Sequence, residues 1–371
     1  MAENFSLKDH LFNADTIGQL ADEFACVDGF EPDRFAQKAL DGFAARELLA
    51  RLDWIADCVE EQLANDFPKM VKQLHRAMPP ALDPEKSDDD FGQFIHAVPG
   101  ILAVRHGLED HRDLALDLIE QATQRFSMEF YIRPFLNRWP AETLSRLKDW
   151  ALHSNYHVRR LVSEGTRPRL PWAANITLDI NDPIPLLDQL HADPTRYVTR
   201  SVANHLNDIS KKNPAAVLKL LASWSSKNQQ EPKELAWMTK HALRSLIKQG
   251  HEGAMKMLGY HPDAAIKVCV FTCSANVKAG DSAQVTLSLS ADKETPVLID
   301  YIIHFRKANG STAAKVFKWK QTTIPAGTAL KLTKSHRFKA DATTFKLHSG
   351  QHRIELQVNG RVIAGQDFVL E

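Results

Sequence analysis

The sequence predicts a multidomain α-then-β chain, a helical solenoid followed by a β-sandwich. Three observations carry that expectation. Apolar residues recur at helical spacing up to about residue 260, the middle of the chain resembles itself at an offset of 40 residues, and seven short β-like runs crowd the C-terminal part. The chain of 371 residues has room for two or three domains, and the expected boundaries are 1–262 and 263–371.

Residues 1–75 read as amphipathic helices. A cap at Asp15 puts Ile17, Leu20, Ala21 and Phe24 on one face. Stretches 33–39 and 44–67 repeat the pattern, the second with a stripe of Leu48, Leu52, Ile55 and Val59. Residues 78–92 break it. Pro79, Pro80 and Pro84 with the run Asp88-Asp89-Asp90 mark an exposed loop, and the run lacks the glycine and terminal glutamate of a calcium site. A short charge run of this kind is expected to be solvated.

The longer rhythm begins near residue 93. Val158-Arg159-Arg160-Leu161-Val162 aligns with Val198-Thr199-Arg200-Ser201-Val202, and 40 positions further on stands Met238-Thr239-Lys240-His241-Ala242. Stretches 182–190 and 214–224 have the apolar spacing of partner helices. Stretches 114–124 and 127–138 read as an earlier pair whose register Pro134 loosens. A helix pair repeating near 40 residues is the mark of a HEAT-like α-solenoid. Stacked repeats align equivalent positions, so Arg160, Arg200 and Lys240 are expected to form a basic row spaced like a phosphate track. The plain alternative is a solvated basic surface.

After His261-Pro262-Asp263 the pattern changes to strands at 266–274, 285–290, 297–305, 315–323, 330–338, 352–358 and 361–370. Turn signals such as Ala279-Gly280-Asp281 and Asn359-Gly360 separate them, as in an immunoglobulin-like β-sandwich. Arg306, Lys307, Lys315, Lys318, Lys320, Lys331, Lys334, Arg337 and Lys339 crowd what reads as its central strands. Lysine also protects sheet edges, so these cations have a structural reading beside nucleic-acid contact.

A formal net charge of zero hides an asymmetry. Residues 1–124 carry 11 Lys+Arg against 25 Asp+Glu, 125–250 carry 19 against 11, and 264–371 carry 15 against 8. Two basic regions beside an acidic one fit a shared polyanionic ligand. No apolar run reaches the roughly 20 residues of a membrane helix, so no membrane partner is expected. The first ten residues do not read as a signal peptide. Four scattered cysteines fit a reducing cytoplasm, and Cys269 and Cys273, four apart in a strand, are expected to face one side without pairing. His106 and His111 lack a clean ligand spacing, so neither a metal nor a cofactor is expected. No Gly-x-Ser-x-Gly nucleophile elbow occurs.

The densest chemistry lies at Tyr156-His157-Val158-Arg159-Arg160-Leu161-Val162-Ser163-Glu164-Gly165-Thr166-Arg167-Pro168-Arg169-Leu170-Pro171-Trp172. It reads as a helix stopped at Gly165, then a loop stiffened by Pro168 and Pro171. Arg160 and Glu164, four apart, share a helix face. Arginines suit phosphate, a carboxylate suits developing positive charge, and indole suits a sugar or cationic base. An ion-paired helix end with a core tryptophan is the equally weighted structural reading.

This run resembles the signature of the AlkC group of DNA alkylation-repair glycosylases, a HEAT-like repeat family. Val198-Thr199-Arg200-Ser201-Val202-Ala203-Asn204-His205-Leu206-Asn207-Asp208-Ile209-Ser210-Lys211 resembles its second signature. The likeness covers about 1–260, and the sandwich resembles an extension carried by some members. The resemblance implies a monofunctional DNA glycosylase, acting as a monomer on double-stranded DNA. It would remove 3-methyladenine and 3-methylcytosine without base flipping. It also implies catalytic roles for Glu164, Trp172 and, from a shorter flanking motif, Glu129. Arg159, Arg160, Arg167, Arg169, Arg200, Asn204, His205, Lys240 and Arg244 form the expected DNA-contacting set. The competing readings are a non-catalytic HEAT-repeat nucleic-acid scaffold and a protein-interaction solenoid.

Overall fold

A computed structural model describes residues 6–86, 88, 90–340 and 346–371. The chain forms two compact units, one of 1–213 with 220–242, the other of 214–219 with 243–371.

In the first unit, α1 (Leu7–Leu11), α2 (Ala14–Phe24), α3 (Pro32–Asp41), α4 (Leu48–Glu60) and α5 (Phe67–Ala77) come first. The cap of α2 is Asn13 rather than Asp15. Its side chain accepts from the Thr16 amide while the Thr16 hydroxyl accepts from the Asn13 amide, so two otherwise orphaned donors are satisfied together. The stretch read as one helix over 44–67 is α4 followed by a break. Asp66 then starts α5 afresh by accepting from the Lys69 amide at 3.1 Å, and Pro68 sits in the first turn, where its missing N–H costs nothing.

Next come α6 (Val98–Gly107), α7 (Arg112–Thr123), α8 (Ile132–Arg138) and α9 (Pro140–Trp150). The expected helix over 127–138 begins five residues late, because Pro134 is tolerated only within a first turn. Residues 124–131 are therefore a connection, and it carries Glu129. Then follow α10 (Tyr156–Gly165), α11 (Ile184–Leu190), α12 (Arg196–Ser210), α13 (Pro214–Lys227), whose residues 214–219 belong to the second unit, and α14 (Pro232–Ala242). Helices α10, α12 and α14 pack in succession, as the 40-residue offset requires. Val158, Leu161, Val162, Val198, Val202, Ala203, Met238 and Ala242 fill the seams at 0% exposure.

The second unit contains α15 (Arg244–Lys248), α16 (Glu252–Met257) and a sandwich of two sheets. Strands β1 (Ile266–Cys273), β3 (Ser282–Ala291) and β6 (Leu330–Arg337) make one sheet in the order β1-β3-β6. The other runs β2-β8-β7-β4-β5 from β2 (Asn276–Val277), β4 (Thr295–Arg306), β5 (Thr312–Ile324), β7 (Gly350–Val358) and β8 (Arg361–Leu370). All seven expected strands are present, and the two-residue β2 is additional. Asn359-Gly360 closes the β7–β8 hairpin with φ of 47° and 82°, the left-handed values a tight two-residue turn needs. The Asn359 side chain also receives the Leu298 amide at 2.8 Å and donates to the His261 carbonyl at 3.1 Å. Met255, Tyr260 and Leu298 pack together beside that turn.

Two expectations about the sandwich are corrected. The lysine-rich β5 and β6 are not central strands; each is an edge of its sheet, where exposed cations discourage pairing with another chain. Cys269 and Cys273 do not share a face. The register shifts between Val268 and Val270, so Cys269 is a bulge residue turned outward while Cys273 points into the core. Burial pushes the Cys58 and Cys273 thiols up to about 11. A thiol reagent should therefore label Cys26 and Cys269 in the native protein, and Cys58 and Cys273 only after unfolding. Equal native rates for Cys269 and Cys273 would contradict the bulge.

Candidate functional site

The polar centre of the first unit is built across α10 and α12. Glu164 lies in the last turn of α10 and is 5% exposed. Its Oε1 receives Arg167 Nη1 at 2.6 Å, its Oε2 receives the Ser201 hydroxyl at 2.6 Å, and Arg160 Nη2 stands 3.9 Å from Oε2. Burial alone would raise this carboxyl. Arg160 first, then Arg167 and the Ser201 hydrogen bond, outweigh it and hold the group below the usual range. Glu164 is thus a buried carboxylate kept charged.

Each cation is itself anchored. Arg160 Nη1 donates to Glu129 Oε2 and to Ser127 Oγ, both at 2.7 Å, and its guanidinium lies 4.4 Å from the centre of the Tyr197 ring. Arg167 reaches Asp208 Oδ2 through Nε at 3.0 Å and Nη2 at 2.9 Å, and Lys211 closes on the other Asp208 oxygen at 2.9 Å. Glu129, Arg160, Glu164, Arg167 and Asp208 therefore alternate in sign through one connected network. Beneath it, Ser163 and Ser201 hydroxyls meet at 2.9 Å, and His205 Nδ1 meets the Ser163 carbonyl at 3.0 Å. That hydrogen bond makes Nδ1 the protonated nitrogen, leaving Nε2 as an acceptor with no partner among the described residues.

The structure sorts the expected site residues into three groups. Glu164, Glu129, Arg160 and Arg167 come together in the network. Trp172 takes no part in it; it stands 63% exposed on the following loop at φ 65°, with Arg169 also exposed nearby in sequence. Arg159 and His205 are committed inside the fold. Arg159 forms a two-point pair with Asp193 at 2.5 and 3.2 Å and also holds the His153 and Ser154 carbonyls.

The basic row also differs from its expected form. Arg160 is 7% exposed and faces inward, because Glu129 lies opposite it. Arg200 is half-buried and pairs with Asp88, with its guanidinium 5.9 Å from the Tyr197 ring centre. The loop expected to be exposed, with a solvated aspartate run, thus lies against α12 at its end: Phe91 meets Tyr197 edge-on at 5.4 Å, and Asp90 is only 15% exposed. Asp89 falls outside the described residues. Asn204 Oδ1 meets His241 Nε2 at 2.8 Å, and Lys240 is exposed on α14. Arg244 begins α15 in the second unit.

Sequence reasoning missed Asp208, Ser201 and Arg133. Ser201 and Asp208 both sit within the second quoted motif, on α12. Arg133 had a faint signal, a cation set among Ile132, Phe135 and Leu136 on a short helix. No group of three or more potential metal ligands occurs among the described residues.

A helical-repeat chain with a buried carboxylate held by two arginines and an appended immunoglobulin-like sandwich is a narrow class. The family model described as "Uncharacterised protein YhaZ, C-terminal Ig-like domain" matches residues 267–371. Uncharacterized protein YhaZ of Bacillus subtilis is 36% identical over 262 residues, covering 70% of this chain and 72% of that protein. The solved structure of Pseudomonas fluorescens alkylpurine DNA glycosylase AlkC, bound to DNA containing an abasic site analog, superposes with a TM-score of 0.87. It is 30% identical and covers 99% of this chain and 100% of that one. The chain belongs to the YhaZ/AlkC family.

The burial of two histidines gives the site a pH signature. Burial lowers His157 and His205 to about 4, aided by Arg160 and Arg167 respectively. The unfolded chain takes up these protons near pH 6.5. Between those values the unfolded state binds more protons, so stability falls as the pH drops. The helical transition, followed by far-UV circular dichroism, should lose on the order of a few kcal/mol between about pH 7 and 4.5. His157→Gln should flatten that dependence; an unchanged slope would mean the ring is not buried neutral.

Proposed function

We propose that this protein is a monofunctional DNA glycosylase that hydrolyses the N-glycosidic bond of cationic alkylated bases in duplex DNA. The expected lesions are 3-methyladenine and 3-methylcytosine. The observation that carries the reading is the Glu164 carboxylate, buried yet held charged by Arg160, Arg167 and Ser201, eight residues before an exposed indole. The solved AlkC structure of the same family supports it.

The chemistry follows from charge. A base methylated at N3 is already cationic, so the C1′–N bond breaks with its electron pair neutralising the base, and no acid is needed. What remains is an oxocarbenium-like sugar and a water that must add to C1′ and lose a proton. A fixed carboxylate serves both needs, because its partners are oriented before the charge develops. Glu164 is the group assigned to the sugar cation. Glu129, tied to it through Arg160, supports it and provides a second acceptor for the water's proton. Trp172 offers a π-face to the deoxyribose or the cationic base. Its exposure on the loop supports excision without the base being swung into a closed pocket.

Phosphate contacts are assigned to Arg169, Arg200, Asn204, Lys240 and Arg244. Arg160 and Arg167 are assigned to holding the carboxylates, and Arg159 and His205 to the fold.

Glu164→Gln should keep duplex affinity but lower single-turnover excision of 3-methyladenine by about 100- to 1,000-fold, the loss typical of one preorganised electrostatic group. Full-rate excision by that variant would remove Glu164 from catalysis. Absence of any base release by the wild-type protein would favour the scaffold reading. The sandwich has its own test. Lys318→Ala with Lys320→Ala should reduce the slope of log affinity against log salt by roughly 1.8, about 0.9 for each phosphate left unneutralised. An unchanged slope would leave these two lysines as edge guards only.

A further inference from the structure

Helix α8 carries two polar side chains one turn apart, Arg133 and Asn137, which share a face. Arg133 is 1% exposed, although a guanidinium is costly to bury without compensation. It donates to three main-chain carbonyls: Nε to Ala174 at 2.5 Å, and Nη1 to Gly165 at 3.0 Å and Arg167 at 2.8 Å. Asn137 continues the same rail. Its Nδ2 donates to the Asn175 carbonyl at 2.8 Å, and its Oδ1 accepts from the Thr177 amide at 2.9 Å and hydroxyl at 3.2 Å.

These five backbone points bracket the loop that carries Arg169 and Trp172. The loop begins pressed against the same helix, since a side chain at Gly165 would collide with Ile132. Between the brackets Trp172 holds a φ of 65°. For a residue other than glycine that conformation costs roughly 1–2 kcal/mol, and such strain persists only where the surroundings over-determine it. The start of the loop is also held to α10 and α12 by Arg167 on Glu164 and Asp208, while the backbone bonds further along it are local, such as Ala173 to Leu170 at 3.3 Å. Helix α8 also follows directly on the turn that carries Glu129.

Resting on the glycosylase reading above, we propose that Arg133 and Asn137 are positioning residues. They clamp 165–177 to α8 so that Trp172 is held in its left-handed conformation relative to Glu164 and Glu129. Neither touches substrate. Their effect reaches the reaction through the loop backbone.

The test compares the full-length wild type with Arg133→Lys and Asn137→Ala. A lysine keeps the charge but has no fork with which to bridge three carbonyls. Asn137 is only half-buried, so its truncation spares the core. Trypsin reports loop order directly, because Arg169 is followed by leucine whereas Arg167 is followed by proline and resists cleavage. Cleavage after Arg169, mapped by mass spectrometry, should quicken by about tenfold as local opening becomes easier. Single-turnover excision of 3-methyladenine should fall on the order of 100-fold, as for a group misplaced by about 1 Å. Affinity for undamaged duplex should not change.

Faster cleavage with excision at the wild-type rate would overturn the proposal, and so would slowed excision with cleavage unchanged. If Arg133→Lys loses its helical signal, Asn137→Ala decides alone. If the wild type releases no base, the glycosylase reading fails, while the clamp still stands or falls on the cleavage rates.

Discussion

The first unit depends on keeping one carboxylate charged where water barely reaches it. Glu164 ends its helix 95% covered, and removing both arginines would leave an uncompensated buried charge. The partners therefore determine much of the surrounding structure. Arg167 must turn back from the loop, which requires α10 to stop at Gly165. Ser201 must come from α12, which requires the two helices to approach closely, and Ser163 opposite it is small enough to allow that. Arg160 must point inward, and it does so because the connection before α8 brings Glu129 to meet it.

This chain of requirements explains what was legible in the sequence. The helical period, the 40-residue offset and the seven strands follow from apolar spacing and turn residues, which are local properties. The Arg160–Glu164 pairing was legible because four residues on a helix always share a face. What the repeat could not show is which way a cation turns. Arg160 and Arg200 are equivalent by offset, yet one is buried on Glu129 and the other half-buried on Asp88. The difference lies in the irregular segments opposite them, a connection and a proline-rich loop, and periodicity carries no information about either. The clamp on α8 was hidden for a related reason, since its acceptors are main-chain carbonyls, which every residue has.

In the second unit the misread positions were those where a single residue alters the alternation. One bulge at Cys269 reverses its facing relative to Cys273, and strand order decides that the lysines of β5 and β6 stand at edges. Neither can be seen along one strand, because both depend on the neighbour. At those edges the exposed cations have a structural role, because they discourage pairing with another sheet.

The spacing of the polar pairs has a consequence for how the molecule is made. Arg160 meets Glu129 across 31 positions, Arg159 meets Asp193 across 34, Ser201 meets Glu164 across 37, Arg167 meets Asp208 across 41 and His205 meets Ser163 across 42. Each bond joins one helix layer to the next, and these pairs skip none. Folding can then advance layer by layer with short loop closures, the regime in which chains fold fast. The carboxylate centre, however, needs three successive layers from Glu129 to Asp208. During synthesis it exists only after the whole of α12 has emerged, so a chain interrupted earlier holds Glu164 without the serine and aspartate that complete its surroundings.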